Sequence, residues 1–344
     1  MKKVLLVLNS YSLGGAESIA ISIIDSLSDV FHFGYCCLEG GNIDSYLNDK
    51  VERFYLKKMT PRLLKKVIND FGPDIIHAND FTASVCAALS TKRPIISHIH
   101  HNSDFIKTIN LKTIVYNCCS NRFRKIVFVS KSVMSEYVFS KRIKEKSVVV
   151  PNLIDKEKIL SSLKETSFSR FDLLFMGRLE SAKNPLRFLR IAKAVQDTKG
   201  LSNLQIGVLG QGSLLKACQD YVREQRMNNV TFIGFKENPY PYLKTARVLC
   251  VSSDYEGYGL AAEEAKLLKT VVVANDVGGL HDLLKNTGIL YSTDEEAVSE
   301  IKRLLTDENY YNDCVGLLGE DSLISLSNDE YSNIIKSLYL GEAL

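Results

Sequence analysis

Four short loops carry the residue types that can do chemistry, and each follows a run that reads as a strand. In the first, Ser12-Leu13-Gly14-Gly15-Ala16-Glu17, adjacent glycines open a helix and let backbone N–H groups approach an anion closely. Taken alone, such a pair serves equally well to shape a turn. The second loop, Gly177-Arg178-Leu179-Glu180-Ser181-Ala182-Lys183-Asn184-Pro185, sets Arg178 and Lys183 ahead of a helix with Asn184 as N-cap and Pro185 at N1. Two cations at a strand end suit the neutralisation of a departing diphosphate; the plainer alternative is a pair of solvated loop charges. The third, Gly210-Gln211-Gly212, is a turn that permits close approach of a ligand.

The fourth loop is the most informative: Glu256-Gly257-Tyr258-Gly259-Leu260-Ala261-Ala262-Glu263-Glu264. Its glycines open a helix whose free N–H groups and dipole are ready for phosphate. Glu256 precedes the helix and Glu264 lies inside it, so both carboxylates can meet one ligand at different depths. Glu263 and Glu264 stand ~100° apart on a helix, so one of the two is expected to face inward. A carboxylate aimed into a cleft needs a partner, and a vicinal diol donating hydrogen bonds suits it.

The elements that must position these loops alternate strand and helix, the pattern of a parallel α/β sheet. Strands are expected at Lys3–Leu8, His32–Leu38, Asp74–Ala78, Pro94–Ile99, Ile126–Ser130 and Val148–Pro151. A polar, strand-free stretch from Asn152 to Arg170 follows, with Lys156, Glu157, Lys158 and Lys164. The pattern then restarts at Asp172–Met176, Leu204–Leu209, Val230–Ile233, Val248–Ser252 and Val271–Ala274. After the first strand, Ala16, Ile19, Ala20, Ile23, Ile24 and Leu27 form one apolar helical stripe, and a last helix spans about Asp329 to Leu338. The expectation is two sequential doubly wound sheets. In such sheets ligands bind beyond the carboxyl ends of the strands, and two facing sheets make a cleft.

Composition sets the bounds. With 344 residues, 45% hydrophobic and 24% charged, the chain has room for two soluble domains and does not read as disordered. No apolar run reaches the roughly 18 residues of a membrane span, and the run after Met1 ends at Asn9, short of a signal peptide. The eight cysteines show no CxxC and read as free thiols of a cytoplasmic protein. Charge is uneven: residues 1–150 hold 21 Lys and Arg against 13 Asp and Glu, the remainder 22 against 27. Clusters at Lys57, Lys58, Arg62, Lys65 and Lys66, and from Arg122 to Lys146, read either as solvated faces or as a surface for anionic lipid. No motif for nucleic acid accompanies them.

The ordered set of loops resembles glycosyltransferase family 4. The resemblance runs from Gly14-Gly15-Ala16-Glu17 through Gly177-Arg178, Lys183-Asn184-Pro185 and Glu256 to Glu264, into Val272-Val273-Ala274 and Gly278-Gly279. His98-Ile99-His100 is similar to capsule and exopolysaccharide members. The resemblance implies the GT-B fold, two facing Rossmann-like domains at 1–165 (acceptor side) and 166–325 (nucleotide-sugar side). Residues 326–344 are expected to form a helix packing back on the first domain. It further implies that Glu264 binds the ribose and that Glu256 sits near the transferred sugar. The backbone at Tyr258, Gly259 and Leu260 holds the donor phosphates, Arg178 and Lys183 meet the diphosphate, and Gly210 lines the donor side. Gly14 and Gly15 lie across the cleft as donor-binding positions near the diphosphate and the acceptor, and His100 matches a position near the reacting sugar, with His98 and His101 crowding the match.

Departures are Tyr258 for Phe, which adds a hydroxyl near the phosphates, Ala262 and Glu263 for larger aliphatics, and Lys269-Thr270-Val271 for Gly-Thr-Pro. His77-Ala78-Asn79-Asp80 reads as structural or acceptor-side. The implied activity is retaining, metal-independent transfer of a hexosyl unit from a nucleoside diphosphate sugar, UDP by family habit, to a glycan or lipid-linked acceptor. No cofactor is expected. No Asp-x-Asp is present to hold a metal, and a zinc set at His98, His100 and His101 is disfavoured because 101 opposes the other two on a strand. Peripheral contact with the inner face of an anionic membrane is expected through the basic N-terminal half. Rival readings are an epimerase or phosphorylase on the same fold and a partner subunit that has lost activity. An NAD dehydrogenase lacks its GxGxxG, although Glu39 stands near the second strand's end.

Overall fold

A computed structural model describes residues 1–11, 13–41, 43–101, 103–163, 170–319 and 323–342; Ser12 and Lys164 fall outside them. The chain divides into two compact units, Met1–Leu153 with Leu326–Leu344, and Ile154–Ser325. The boundary expected at 165/166 lies in 164–169, outside the described residues. Ile154 and Ile159 are already buried among the second unit's apolar side chains, and Lys156–Ser161 is a helix. Part of the polar, strand-free stretch, assigned from sequence to the first domain, therefore belongs to that unit.

The first unit is a seven-stranded parallel sheet. Its strands are β1 (Lys2–Val7), β2 (Phe31–Leu38), β3 (Glu52–Leu56), β4 (Ile75–Ala78), β5 (Ile95–Ile99), β6 (Phe123–Phe128) and β7 (Ser147–Val149), in the order 3-2-1-4-5-6-7. The order reverses between β1 and β4, so the crevice of this unit opens beyond their carboxyl ends. The helix Gly15–Leu27 buries Ile19, Ala20, Ile23, Ile24 and Leu27, the stripe expected from spacing. It packs against the C-terminal helix Asn328–Leu340, which buries Tyr331, Ile335, Leu338 and Tyr339 in the same core. That helix starts on a capping box: Glu330 N–H donates to Ser327 Oγ at 3.3 Å, and the Glu330 carboxylate accepts from Ser327 N–H at 3.0 Å.

The second unit is a six-stranded parallel sheet of β8 (Leu173–Met176), β9 (Ile206–Leu209), β10 (Val230–Gly234), β11 (Val248–Val251), β12 (Val271–Asn275) and β13 (Ile289–Tyr291), in the order 10-9-8-11-12-13. Alternate residues feed two cores. Leu173, Phe175, Val248, Cys250 and Val273 face one, while Leu174, Leu249 and Val272 face the other. The reversal lies between β8 and β11, whose carboxyl ends carry the two loops richest in charge.

Two strands were not legible from pattern, β3 and β13. Both are sheet edges. β3 leaves most of its side chains partly or fully exposed, and β13 has three residues, so neither shows the continuous apolar run of a buried parallel strand.

Candidate functional site

In the second unit, the loops after β8 and β11 are stitched together by their own polar atoms. Ser252 Oγ donates to the carbonyls of Lys183 (3.1 Å) and Asn184 (2.9 Å), and Asp254 N–H donates to the Ala182 carbonyl at 3.0 Å. Asn184 adopts φ 45°, caps the helix Pro185–Gln196 by accepting from Arg187 N–H (3.1 Å), and donates to Asp254 (3.0 Å). This frame aims Lys183 at Glu256, and the two form an ion pair whose side chains are only partly exposed. Ser253 Oγ adds a bond to the same carboxylate oxygen at 3.4 Å. A small cavity is lined by Met176, Lys183, Ser253, Glu256, Gly259 and Ala262. It lies against the N-terminus of the helix Leu260–Leu267, for which Gly259 is the cap at φ 105°. A cation and unpaired backbone N–H groups thus meet at one point.

Gly210 has a different reason to be glycine. A Cβ there would stand 1.9 Å from the Gly177 carbonyl oxygen, and one at Gly212 would stand 2.5 Å from that of Leu179. The loops after β8 and β9 touch backbone to backbone, with Leu179 N–H donating to the Gln211 carbonyl at 2.9 Å. Glu180 completes the seam by accepting from Ser213 N–H (2.8 Å) and Oγ (2.6 Å), which holds its carboxyl below the usual range. Arg178 is exposed between these loops and forms no ion pair among the described residues. Gly279 likewise sits where a Cβ would meet the Gly257 carbonyl oxygen at 2.3 Å, and its N–H donates to the Glu256 carbonyl at 2.9 Å.

The two adjacent glutamates have parted. Glu264 is half-buried, accepts from the Tyr240 hydroxyl at 3.4 Å, and is pushed up from 4.5 to about 7 by burial. Glu263 turns into the protein, fully buried, and accepts from Tyr258 Oη and the N–H groups of Ile324 (2.6 Å) and Ser325 (2.8 Å). Lys266, also fully buried, donates to the Leu283 carbonyl at 3.1 Å; burial lowers its ammonium while Glu263 opposes that. The Tyr258 hydroxyl, expected near phosphate, is instead committed to Glu263. Spacing missed this network and Tyr240. The i, i+3 pair Glu263 and Lys266 was the available signal for the first; nothing in the Asn-Pro-Tyr-Pro-Tyr run around Tyr240 announced the second.

In the first unit the carboxyl ends of β1 and β4 meet through Asp80, which accepts from Asn9 N–H (3.0 Å) and caps the helix Phe81–Ser90 by accepting from Ala83 N–H (2.8 Å). Gly14 caps the helix Gly15–Leu27. Glu17, 8% exposed and bonded to Ser10 Oγ, sets a carboxylate oxygen 2.7 Å from where a Gly14 Cβ would be. The end of this helix therefore already has a negative charge against it.

His100 is held rather than presented. Asn79 Nδ2 donates to the His77 carbonyl at 3.2 Å, which turns Oδ1 to accept from His100 Nε2–H at 3.2 Å. His100 Nδ1 is buried with no hydrogen-bond partner, and its ring lies 3.9 Å from that of His98. Behind it, Tyr339 Oη donates to His77 Nδ1 (2.7 Å), having no other acceptor among the described residues. His77 Nε2–H then donates to His98 Nδ1 (3.1 Å), leaving His98 Nε2–H buried and unpartnered. Burial drives His77 and His100 down to about 3, and His98 well below its usual value. His101, at the end of this run, stands with its ring 6.5 Å from that of Phe81 and close enough to Asp80 for their charges to interact.

Two family models match in tandem and between them take in most of the chain: Glycosyltransferase Family 4 over residues 31–158 and Glycosyl transferases group 1 over 162–315. The chain belongs to glycosyltransferase family 4, and it is a glycosyltransferase of the GT-B fold. Among its relatives is an α-1,4-N-acetyl-D-galactosaminyltransferase of Campylobacter jejuni, whose name gives a PP-undecaprenol-linked glycan as substrate. It is 24% identical over 341 residues, covering 92% of each chain. An Escherichia coli α-1,3-galactosyltransferase, named for UDP-Gal and a GlcNAc-diphosphoundecaprenol, is 21% identical and covers 80% of this chain and 79% of its own. In fold, the chain is similar to Anabaena HepE, solved with UDP and glucose: TM-score 0.81, 20% identity, 98% of this chain and 99% of that one.

Proposed function

We propose that this enzyme moves a hexosyl unit from a UDP-sugar to a lipid-linked or glycan acceptor in cell-surface polysaccharide synthesis, with retention of anomeric configuration and without a metal ion. The observation that carries the reading is the meeting of Lys183, Glu256 and the helix N-terminus at Gly259 at the switch point of the second sheet. In this reading Glu264 accepts hydrogen bonds from the ribose hydroxyls and Tyr240 holds its carboxylate in place. Lys183, Arg178 and the N–H groups after Gly259 take up the negative charge that gathers on the diphosphate as the bond from the anomeric carbon to phosphate oxygen breaks. Glu256 stays beside the sugar ring, paired to Lys183. The acceptor oxygen bonds to the anomeric carbon on the face the diphosphate leaves, and its proton passes to the departing phosphate oxygen.

On the acceptor side, Gly14, Gly15 and the end of β5 fit a hydroxyl-rich ligand better than a second phosphate, because Glu17 already lies there. UDP is favoured by the donors and ligands in the names of the relatives and of the similar structure. The relatives' names favour a lipid-linked acceptor, and the basic N-terminal half suits contact with an anionic membrane, in this reading from its cytoplasmic face. No helix among the described residues is long and apolar enough to cross one. The test is incubation with UDP-hexoses and a polyprenyl-diphosphate-linked saccharide, with and without EDTA, reading the product anomer by NMR. An α-linked product from an α-donor, unaffected by EDTA, is expected. An inverted product, an EDTA-sensitive rate, or isomerised donor without acceptor would each contradict the reading.

A further inference from the structure

Buried cores account for most large apolar side chains, but three exposed ones fall within six residues of each other: Ile109 at 68% exposure, Leu111 at 77% and Ile114 at 43%. Leu111 and Ile114 stand at i and i+3 on the helix Leu111–Cys119, with exposed Cys118 at i+7, so they mark one solvent-facing stripe. Ile109 precedes the helix, directly before its cap Asn110. The neighbouring helix Phe81–Ser90, packed against this one, adds Leu89 at 62%. Arg122 joins the far ends of the two by donating to the Thr91 carbonyl at 2.9 Å. A folded chain gains nothing by keeping such a stripe in water, and a stripe of this kind marks an interaction surface.

The charge around the stripe identifies what covers it. Residues 81–135 hold eight Lys and Arg and one acid, Asp104. Asp104 is itself paired to Lys107, which also meets Glu136 at 3.4 Å. Lys92, Lys112 and Arg122 form no ion pair among the described residues. Lys112, next to Leu111 on the helix, lies over the Phe105 ring, 5.1 Å from its centroid. Exposed apolar side chains with Lys112 beside them and Lys92 and Arg122 at the far ends of the two helices complement an anionic bilayer, where acyl chains take up the former and headgroups the latter. We infer that the Ile109–Ile114 face is the membrane-docking surface of this enzyme, seated on anionic phospholipid. The helix is the next α-helix after β5, so docking there would bring the carboxyl end of that strand towards a lipid-borne diphosphate. This rests on the lipid-linked acceptor of the preceding reading.

The test is flotation of the full chain with vesicles of phosphatidylglycerol and phosphatidylcholine or of phosphatidylcholine alone. The variants are Ile109→Ser/Leu111→Ser/Ile114→Ser, Lys92→Glu/Lys112→Glu, and Phe235→Ser, which removes an exposed apolar side chain of the other unit. Wild type should float with the anionic vesicles and lose most binding in about 0.5 M salt, where charge is screened within a few Å. The triple serine variant should bind roughly tenfold or more weakly at an unchanged melting temperature. The lysine reversal should lose the anionic preference, and Phe235→Ser should bind as wild type. A triple variant that floats like wild type would remove this face while leaving membrane contact standing. A wild type that binds neither vesicle would overturn both, leaving nucleotide binding to judge the donor site. A wild type that is dimeric in solution, with a monomeric triple variant, would assign the face to a second copy instead.

Discussion

Glu264 is the residue whose surroundings and proposed task are most closely linked. Burial raises it to about 7, so its carboxyl takes a proton more readily in the folded chain than in the unfolded one. Between about pH 4.5 and 7 the folded state then binds the extra proton, and this group's contribution to stability falls as pH rises. Glu264→Gln should therefore melt above wild type at pH 8, with the gap closing near pH 5. If the ribose hydroxyls donate to the ionised carboxylate, wild-type affinity for a nucleoside diphosphate should climb as pH rises towards 7, and this slope should be missing from the Gln variant. Calorimetric titration at several pH values reads both. Spacing alone identified Glu264 as one of two adjacent acids but not which; Glu263 is fully buried and Glu264 half-buried. The choice followed from Glu263 finding three donors in the protein while Glu264 found one.

At the scale of elements, the helix Leu260–Leu267 is fixed by polar contacts that an apolar pattern does not show. Glu263→Leu would strand Lys266, the Tyr258 hydroxyl and two backbone N–H groups, and should cost about 3–5 kcal/mol by chemical unfolding. Adding Tyr258→Phe and Lys266→Met removes two of those stranded groups, so the triple variant should be more stable than Glu263→Leu alone; further loss would contradict the coupling. Glycines separate in the same way. Gly210→Ala puts a Cβ on the Gly177 carbonyl at φ 137° and should destabilise by more than about 2 kcal/mol, whereas Gly200, at φ 90° with nothing near, should lose about 1 kcal/mol. The alternating pattern revealed eleven of the thirteen strands among the described residues, and the switch-point loops, because buried parallel strands need continuous apolar runs. The edge strands β3 and β13 and the glycine seam depend on neighbours distant in sequence, and local pattern carries no trace of them.

Over the whole molecule, the buried histidines of the first unit and Glu264 of the second respond oppositely to acid. His77, His98 and His100 are held neutral inside the first unit, so below about pH 6.5 the unfolded chain binds protons that the folded unit refuses, and stability falls as pH drops towards 3. Hydrogen exchange between pH 7 and 5 should show peptides spanning β4, β5 and the C-terminal helix losing protection, while the helix Leu260–Leu267 does not. Equal loss in both units would count against the buried histidine chain. The return of the chain to the first unit after Ser325 brings Tyr339 onto His77, a contact between residues 262 positions apart that sequence reading cannot reach.

In the proposed function the second unit binds a nucleoside diphosphate through Glu264 and the loops at its switch point. Thermal unfolding against UDP, GDP, ADP and NAD, with Glu264→Ala beside wild type, tests it most directly. A ligand at ~100 times its Kd should stabilise the fold by about 2.7 kcal/mol. UDP should raise the melting temperature of the wild type and leave that of Glu264→Ala unchanged. No response to any diphosphate, a response to NAD alone, or a UDP response that survives in the Ala variant would contradict it.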